Sequence, residues 1–337
     1  MHKDLSKPAR VGLIGAGRMG VVHGRNAAAN SRLELACVIE PRTAEADALA
    51  AELDCGVATL DEALADGSLA GLIVASPTGA HLDQTLAALA AGKAFFCEKP
   101  LDLDLARLRA HPGLATPPAP LYVAFNRRFD PHFQALKAKV ASGAIGRLES
   151  ANLISHDPRP PPPAFIPTSG GLFRDFTIHD FDVARWLFEE EPVEVFTWAS
   201  ALIDPAIAAA GDVDTARTLL RFPSGRLCLI SNTRRSAYGY DQRAEAYGSA
   251  GMAMAGNPRV ATLEAWTEAG ALAAPIADSF QARYAAAYRA ELDHFADVLA
   301  GAATPATGYL DSVRALALAE AANRSARLGA PVRLADI

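Results

Sequence analysis

The sequence predicts an α/β protein in two parts. A parallel, doubly wound sheet with helices comes first, followed by an α/β domain built on an open, mainly antiparallel sheet. Three observations carry that prediction. Over residues 1–124, short apolar runs alternate with alanine-rich segments of helical period. Over residues 125–337, strand-like runs follow one another with no comparable helix between them, so neighbours must pair antiparallel. The chain then closes on two segments of helical period, and its 337 residues fit two domains.

The elements of the first domain follow in order. Val11 to Ile14 reads as a strand, then a glycine turn, then a helix to about Asn30. Leu35 to Ile39 is a strand, Thr43 to Leu53 a helix, and Val57-Ala58 a very short strand. Leu72 to Ala75 is a strand closed by Ser76-Pro77, with a helix from about Ala80 to Ala91 behind it. Ala94 to Cys97 and Leu121 to Phe125 complete the strands.

In the second domain, Pro158 and Pro160 to Pro163 form an extended loop, whose alternative use is as an SH3-type ligand. Val193 to Leu202, Ala216 to Phe222, Arg226 to Asn232, Gln242 to Tyr247 and Arg259 to Trp266 read as strands. Pro223-Ser224-Gly225 makes a hairpin turn. Tyr284, Tyr288, Leu292, Phe295 and Leu299 mark one terminal helix, stopped by Gly301. A second runs from about Asp311 to Leu328, stopped by Gly329 and Pro331.

Bulk composition narrows the function. Hydrophobic residues make up 50% and charged residues 21%, which fits sizeable cores. The formal net charge of −6 argues against nucleic acid or an anionic membrane as the main partner. Met1 to Arg10 is polar and lacks the apolar core of a signal peptide, and no apolar run reaches spanning length. Cys37, Cys55, Cys97 and Cys228 are irregularly spaced, which reads as reduced thiols rather than a disulfide frame or zinc site. A cytoplasmic protein with no metal site is expected.

Gly15-Ala16-Gly17-Arg18-Met19-Gly20 follows a strand and opens a helix, the setting of a dinucleotide fingerprint. Gly15 makes the tight turn, Gly17 admits a pyrophosphate, and Gly20 lets helix and strand pack. Glu40, twenty residues past Gly20, is placed to accept from the ribose hydroxyls of NAD and to repel the 2′-phosphate of NADP. Arg42 complicates this, because an arginine there either holds that phosphate or is simply a solvated residue opening a helix. Ser76-Pro77-Thr78 lies at the carboxyl edge of the sheet, where ligands bind. His81 follows in the next helix's first turn, with helix-terminal hydrogen bonding as its other role.

Glu98-Lys99-Pro100 ends an apolar strand. Lys99 there either is solvated or hydrogen-bonds an oxygen that changes between alcohol and carbonyl. Asp175 and His179, four residues apart, share one face if the segment is helical. An aspartate that orients a histidine makes a general base near neutral pH. The other reading is a structural Asp–His bond. Asp182 falls on the same face, whereas Asp180 points away. Together the three motifs indicate a dinucleotide-dependent dehydrogenase.

From Arg10 to about Leu328 the chain resembles the Gfo/Idh/MocA oxidoreductases, particularly their inositol 2-dehydrogenase branch. The resemblance rests on GAGRMG, CEKPL, FNRRFDPHF, SHDPRPPPP, SGGLFRDFTIHDFDVARW, YGYDQRAEAYGSAGM and RYAAAYRAEL. It implies a Rossmann domain plus an open-sheet domain. It also implies that Lys99, Asp175 and His179 are catalytic, His179 taking the hydroxyl proton while hydride leaves the same carbon. The cofactor contacts would come from Gly15, Gly17, Arg18, Met19, Gly20, Glu40, Ser76, Pro77, Thr78, His81, Glu98 and Lys99. The substrate shell would add Arg128, His156, Asp157, Tyr238 and Tyr240 to the three catalytic residues, since each can meet a ring hydroxyl.

The expected activity is NAD-dependent oxidation of myo- or scyllo-inositol to the ketone. Its rivals are an aldose 1-dehydrogenase giving a lactone and a non-catalytic nicotinamide- or sugar-binding regulator. A homo-oligomer, dimer or tetramer, is expected through an open sheet on whose strands Trp198, Leu219 and Leu229 lie.

Overall fold

A computed structural model of the chain describes residues 7–337, so the first six residues of the polar N-terminal stretch lie outside it. The chain divides into two compact units, Met1–Asn126 with Ala287–Arg314, and Arg127–Ala286 with Ala315–Ile337. The first break falls close to the expected one at 124/125. Residues 287–314, expected in the second domain, belong instead to the first unit. The reason is packing: Phe295 stacks edge-on against Phe96, and both Phe295 and Leu299 close on Gly71 so tightly that a Cβ there would meet them at 3.1 and 3.2 Å.

The first unit is a six-stranded parallel sheet of β1 (Ala9–Ile14), β2 (Leu33–Ile39), β3 (Gly56–Val57), β4 (Gly71–Val74), β5 (Ala94–Glu98) and β6 (Leu121–Ala124). The order is β3-β2-β1-β4-β5-β6, the doubly wound arrangement whose ligand crevice opens at the carboxyl ends of the central strands. β4 and β5 are buried throughout, as parallel strands covered on both faces must be. Helices Arg18–Ala28, Thr43–Leu53 and His81–Ala90 lie close to the predicted spans.

The second unit carries a seven-stranded mixed sheet. Its strands are β7 (Leu148–His156), β8 (Glu194–Ser200), β9 (Thr215–Arg221), β10 (Leu227–Thr233), β11 (Asp241–Gly248), β12 (Gly251–Ala255) and β15 (Val332–Arg333), ordered β12-β11-β7-β10-β9-β8-β15. All neighbours are antiparallel except β7 and β10. The strand expected at Arg259 to Trp266 is instead β13 (Glu264–Thr267), paired only with β14 (Gly270–Ala273) in an exposed hairpin. Helix Ile178–Phe188 covers one face of the large sheet. Alternation along β7 sends Ala151, Leu153 and Ser155 to that face and Asn152, Ile154 and His156 to the other. Among the described residues no helix is long and apolar enough to cross a membrane.

Candidate active site

The glycine turn in the first unit has the geometry a dinucleotide needs. Gly15 adopts φ +100°, and a Cβ there would lie 2.6 Å from the Ala75 carbonyl oxygen. A Cβ on Gly20 would lie 2.0 Å from the Gly15 oxygen. Gly17 faces open space, with nothing within 4 Å of an added Cβ, and it opens helix Arg18–Ala28 with no side-chain cap. The helix N-terminus therefore presents backbone N–H groups and partial positive charge to a phosphate. Glu40, just past β2, accepts from the Ala16 N–H at 3.0 Å. The donor set and the cradle fit NAD.

Arg42 does not stand clear of this site. Its Nε donates to Glu40 Oε1 at 2.8 Å and its Nη2 to Oε2 at 3.1 Å. The Arg42 hydrogen bond holds the Glu40 carboxyl down at about 2, against the opposing effect of burial. The pair leaves Glu40 ionised and oriented toward the glycine turn.

At the ends of β4 and β5, Ser76, Thr78 and Lys99 keep partial solvent access and Pro77 is exposed. Two expected cofactor contacts are corrected. His81 is 1% exposed, and its ring nitrogens meet the Pro100 and Ser76 carbonyls at 2.8 and 2.9 Å, so none of its polar atoms is left for a ligand. It ties the Ser76 turn to the cis Lys99–Pro100 peptide instead. The Glu98 side chain turns inward to His23, Oε1 lying 2.7 Å from Nε2, and also accepts from the Lys99 N–H at 3.2 Å.

In the second unit the Asp/His segment is helical, but Phe173–Thr177 forms a π turn ahead of helix Ile178–Phe188. Such turns are frequent at functional sites. Across the π turn and the first residues of the helix, Phe173, Phe176, Thr177, Ile178 and Asp180 are buried, while Asp175 and His179 keep partial exposure. Both candidate residues thus keep solvent access on a segment most of whose residues are buried. Asp180 is the anchor beneath them: it pairs with Arg127 and accepts from Ser155 at 2.7 Å and Asn232 at 2.8 Å. Asn232 also accepts from Thr177 at 2.9 Å.

The expected substrate shell is only partly assembled. Asp157 keeps partial exposure just beyond β7. Arg128 makes a two-point bond to buried Asp182, at 2.8 and 2.6 Å. His156 lies on the sheet face opposite helix Ile178–Phe188, its ring nitrogens 2.9 Å from Ser231 Oγ and 3.2 Å from the Tyr238 hydroxyl. Tyr238 donates to Asp241 at 2.7 Å. Tyr240 is 7% exposed and packs edge-on against Tyr284. Tyr240 is thus held by burial, whereas His156 and the 58% exposed Tyr238 bond each other and keep access to solvent. Arg234, unmarked by any sequence motif, instead lies within reach of both Asp175 and Asp157.

Comparisons with known proteins agree with this geometry. Residues 9–116 match the model of the oxidoreductase family with NAD-binding Rossmann fold, and residues 133–254 match that of the GFO/IDH/MocA C-terminal domain. An inositol 2-dehydrogenase of Rhizobium meliloti is 44% identical over 317 residues, 94% of this chain and 96% of the relative. The crystal structure of a myo-inositol dehydrogenase from Corynebacterium glutamicum superposes with a TM-score of 0.92 at 40% identity, covering 97% of this chain and 99% of that one. A scyllo-inositol dehydrogenase from Lactobacillus casei, solved with bound NAD(H) and scyllo-inositol, superposes with a TM-score of 0.88 at 26% identity, covering 98% and 100%. With both domain models matched in order and the likeness running nearly end to end, the chain belongs to the Gfo/Idh/MocA family of NAD-binding oxidoreductases.

Proposed function

We propose that this enzyme oxidises a ring hydroxyl of an inositol, myo- or scyllo-, to the ketone, using NAD. The observation that carries the reading is the pair Asp175 and His179, accessible together on one helix, in a chain 44% identical to an inositol 2-dehydrogenase. When bound, NAD supplies the hydride acceptor. The Gly15–Gly20 turn, Glu40 and the Ser76–Thr78 edge would hold it. His179 takes the hydroxyl proton, Asp175 holds the imidazole tautomer and stabilises its charged form, and the Lys99 ammonium favours the anionic form of the same oxygen. Asp157 offers a carboxylate to a neighbouring hydroxyl.

The same reading makes the protein a homo-oligomer of the cytoplasm. The uncovered sheet face carries Trp198, Leu219 and Leu229, 62, 38 and 41% exposed, which supports a second copy as its cover. Its four free cysteines suit a reducing compartment.

The test is a steady-state screen of inositols and aldoses with NAD and NADP, read by nicotinamide reduction. Inositol turnover with NAD is expected. A higher kcat/KM on an aldose would replace the substrate, and no turnover of any alcohol would replace the enzyme reading with that of a binding protein.

A further inference from the structure

We propose that Arg234 is a positioning residue of the reaction: its buried guanidinium clamps the carboxylates of Asp175 and Asp157 and so fixes the acid that orients His179. The proposal rests on the reading above, in which Asp175 and His179 form the proton-accepting pair.

The sheet places Arg234 and Asp157 side by side. β7 and β10 run parallel and end in register at His156 and Thr233, so Asp157 and Arg234 are the next residue on each strand. The Asp157 N–H donates to the Thr233 carbonyl at 2.9 Å, which holds the two strand ends together. The Arg234 N–H donates at 2.8 Å to the carbonyl of Asp214. Asp214 is itself fully buried and accepts from the Leu202 and Ile203 N–H groups at 2.9 and 2.8 Å. The base of the Arg234 side chain therefore starts from a fixed point.

From there the guanidinium reaches the π turn. Nη2 donates to Asp175 Oδ2 at 3.2 Å, and Nη1 lies 3.7 Å from Asp157 Oδ2. Its carbon stands 5.7 Å from the centroid of the Phe176 ring. The arginine side chain is 4% exposed, whereas those of Asp175 and Asp157 are 23 and 20% exposed. The cation thus sits behind two carboxylates that each keep an accessible side.

That arrangement is poorly suited to stability alone. A buried guanidinium carries a large desolvation cost that only a full set of hydrogen bonds offsets, yet Arg234 Nε is buried with no hydrogen-bond partner. What the arrangement does achieve is placement. A planar fork between two carboxylates fixes the orientation of both, which a flexible lysine ammonium does less well. A carboxylate in the π turn, three residues ahead of the regular helix, is the one whose direction most needs such a tether.

The experiment compares Arg234→Ala and Arg234→Lys with the wild type. Readouts are steady-state kinetics, NAD affinity, and the ring resonances of His179 by NMR in the cofactor-free protein. For Arg234→Ala we expect kcat to fall on the order of 10²-fold with NAD affinity unchanged. Free guanidinium should restore part of kcat, Arg234→Lys should retain more than the alanine variant, and both should shift the His179 resonances. A folded Arg234→Ala enzyme with kcat within about twofold of wild type, or a loss confined to KM, overturns the proposal. So do unmoved His179 resonances. Should the alanine variant not fold, the lysine variant decides on the same readouts. Wild-type turnover tests the substrate separately: if another alcohol is the substrate, the variants are compared on that alcohol, and the NMR readout needs no substrate.

Discussion

Glu40 and Arg42 form a two-point ion pair at the carboxyl end of β2, with Nε–Oε1 at 2.8 Å and Nη2–Oε2 at 3.1 Å. The arginine whose charge suits a 2′-phosphate is thereby bonded to the acid that repels one. Glu40, depressed to about 2, stays ionised at every working pH; its contribution to stability is present above about 4.5 and is lost only as pH falls through about 2. Glu40→Gln should therefore lower the preference for NAD over NADP by roughly tenfold, about 1.4 kcal/mol. Arg42→Ala should raise that preference by weakening NADP. The ratio of the two kcat/KM values checks both, and a rise in NAD preference on losing Glu40 would contradict the assignment.

His179→Ala should lower kcat by roughly 10²–10⁴ and leave NAD affinity unchanged. Lys99→Met should also act on kcat, because its charge serves an oxygen that becomes anionic only as the proton leaves. Single-turnover rates of nicotinamide reduction separate this from slow product release. Near-wild-type turnover in the histidine variant would remove it from the role of base.

The first unit holds a buried acid that catalysis does not use. Glu291 is fully buried on helix Ala285–Ala300, accepts from the Tyr122 hydroxyl at 3.1 Å and has no partner at Oε2. Burial, and then the nearby Glu98, push its carboxyl well above the ordinary range. The sign follows from linkage. The folded state prefers the protonated acid, so stability is fullest below about pH 4.5 and falls with rising pH by about 1.4 kcal/mol per unit until the folded pKa is reached. Glu291→Gln should remove that slope. Denaturant unfolding at mildly acidic and mildly alkaline pH should show the variant gaining on the wild type as pH rises, and parallel curves would refute this.

Asp180 secures the Asp/His helix from below. It is 1% exposed and binds Arg127, Ser155 and Asn232, while Arg127 also donates to Gln242 at 2.7 Å. Asp180→Ala would strand the 2% exposed Arg127 guanidinium, at a cost of about 3–5 kcal/mol. Denaturant midpoints should fall accordingly, with Asp180→Asn intermediate because it keeps two of the acceptor contacts.

How much of this was legible in the sequence follows from how local each constraint is. The glycine turn, Glu40 and the parallel strands were readable because backbone strain and apolar runs are written in consecutive residues. The Asp175–His179 spacing was readable because a helix repeats within four residues, although the π turn left no mark. β7 was not, since Asn152, Ser155 and His156 interrupt its apolar alternation with side chains that bond across the sheet and to the helix. The faces of His156 and Arg234 depend on strand register between residues some eighty positions apart, which no local pattern encodes. His81 and Glu98 looked like ligands because their position at the sheet edge is local, while their inward turn is tertiary. Helix Ala285–Ala300 was found by its period, but the sheet its apolar side meets was not.

The last prediction concerns the uncovered sheet face. Strand register sets Phe196, Leu219 and Leu229 in one row across β8, β9 and β10. Trp198 stands two residues along β8 and is the most exposed of the apolar side chains on that strand. A flat apolar row of this kind loses free energy at about 25 cal/mol per Å² of surface left in water, and a copy of the same sheet related by a twofold axis would cover it with itself. Leu219→Glu would place like charges opposite one another at the centre of such an interface, in place of the apolar contact. Light scattering on the purified protein should show the wild type as a dimer or larger, and the glutamate variant as a smaller species with its circular dichroism retained. A variant that keeps the wild-type mass would exclude this face as the contact, and a monomeric wild type would exclude the oligomer altogether.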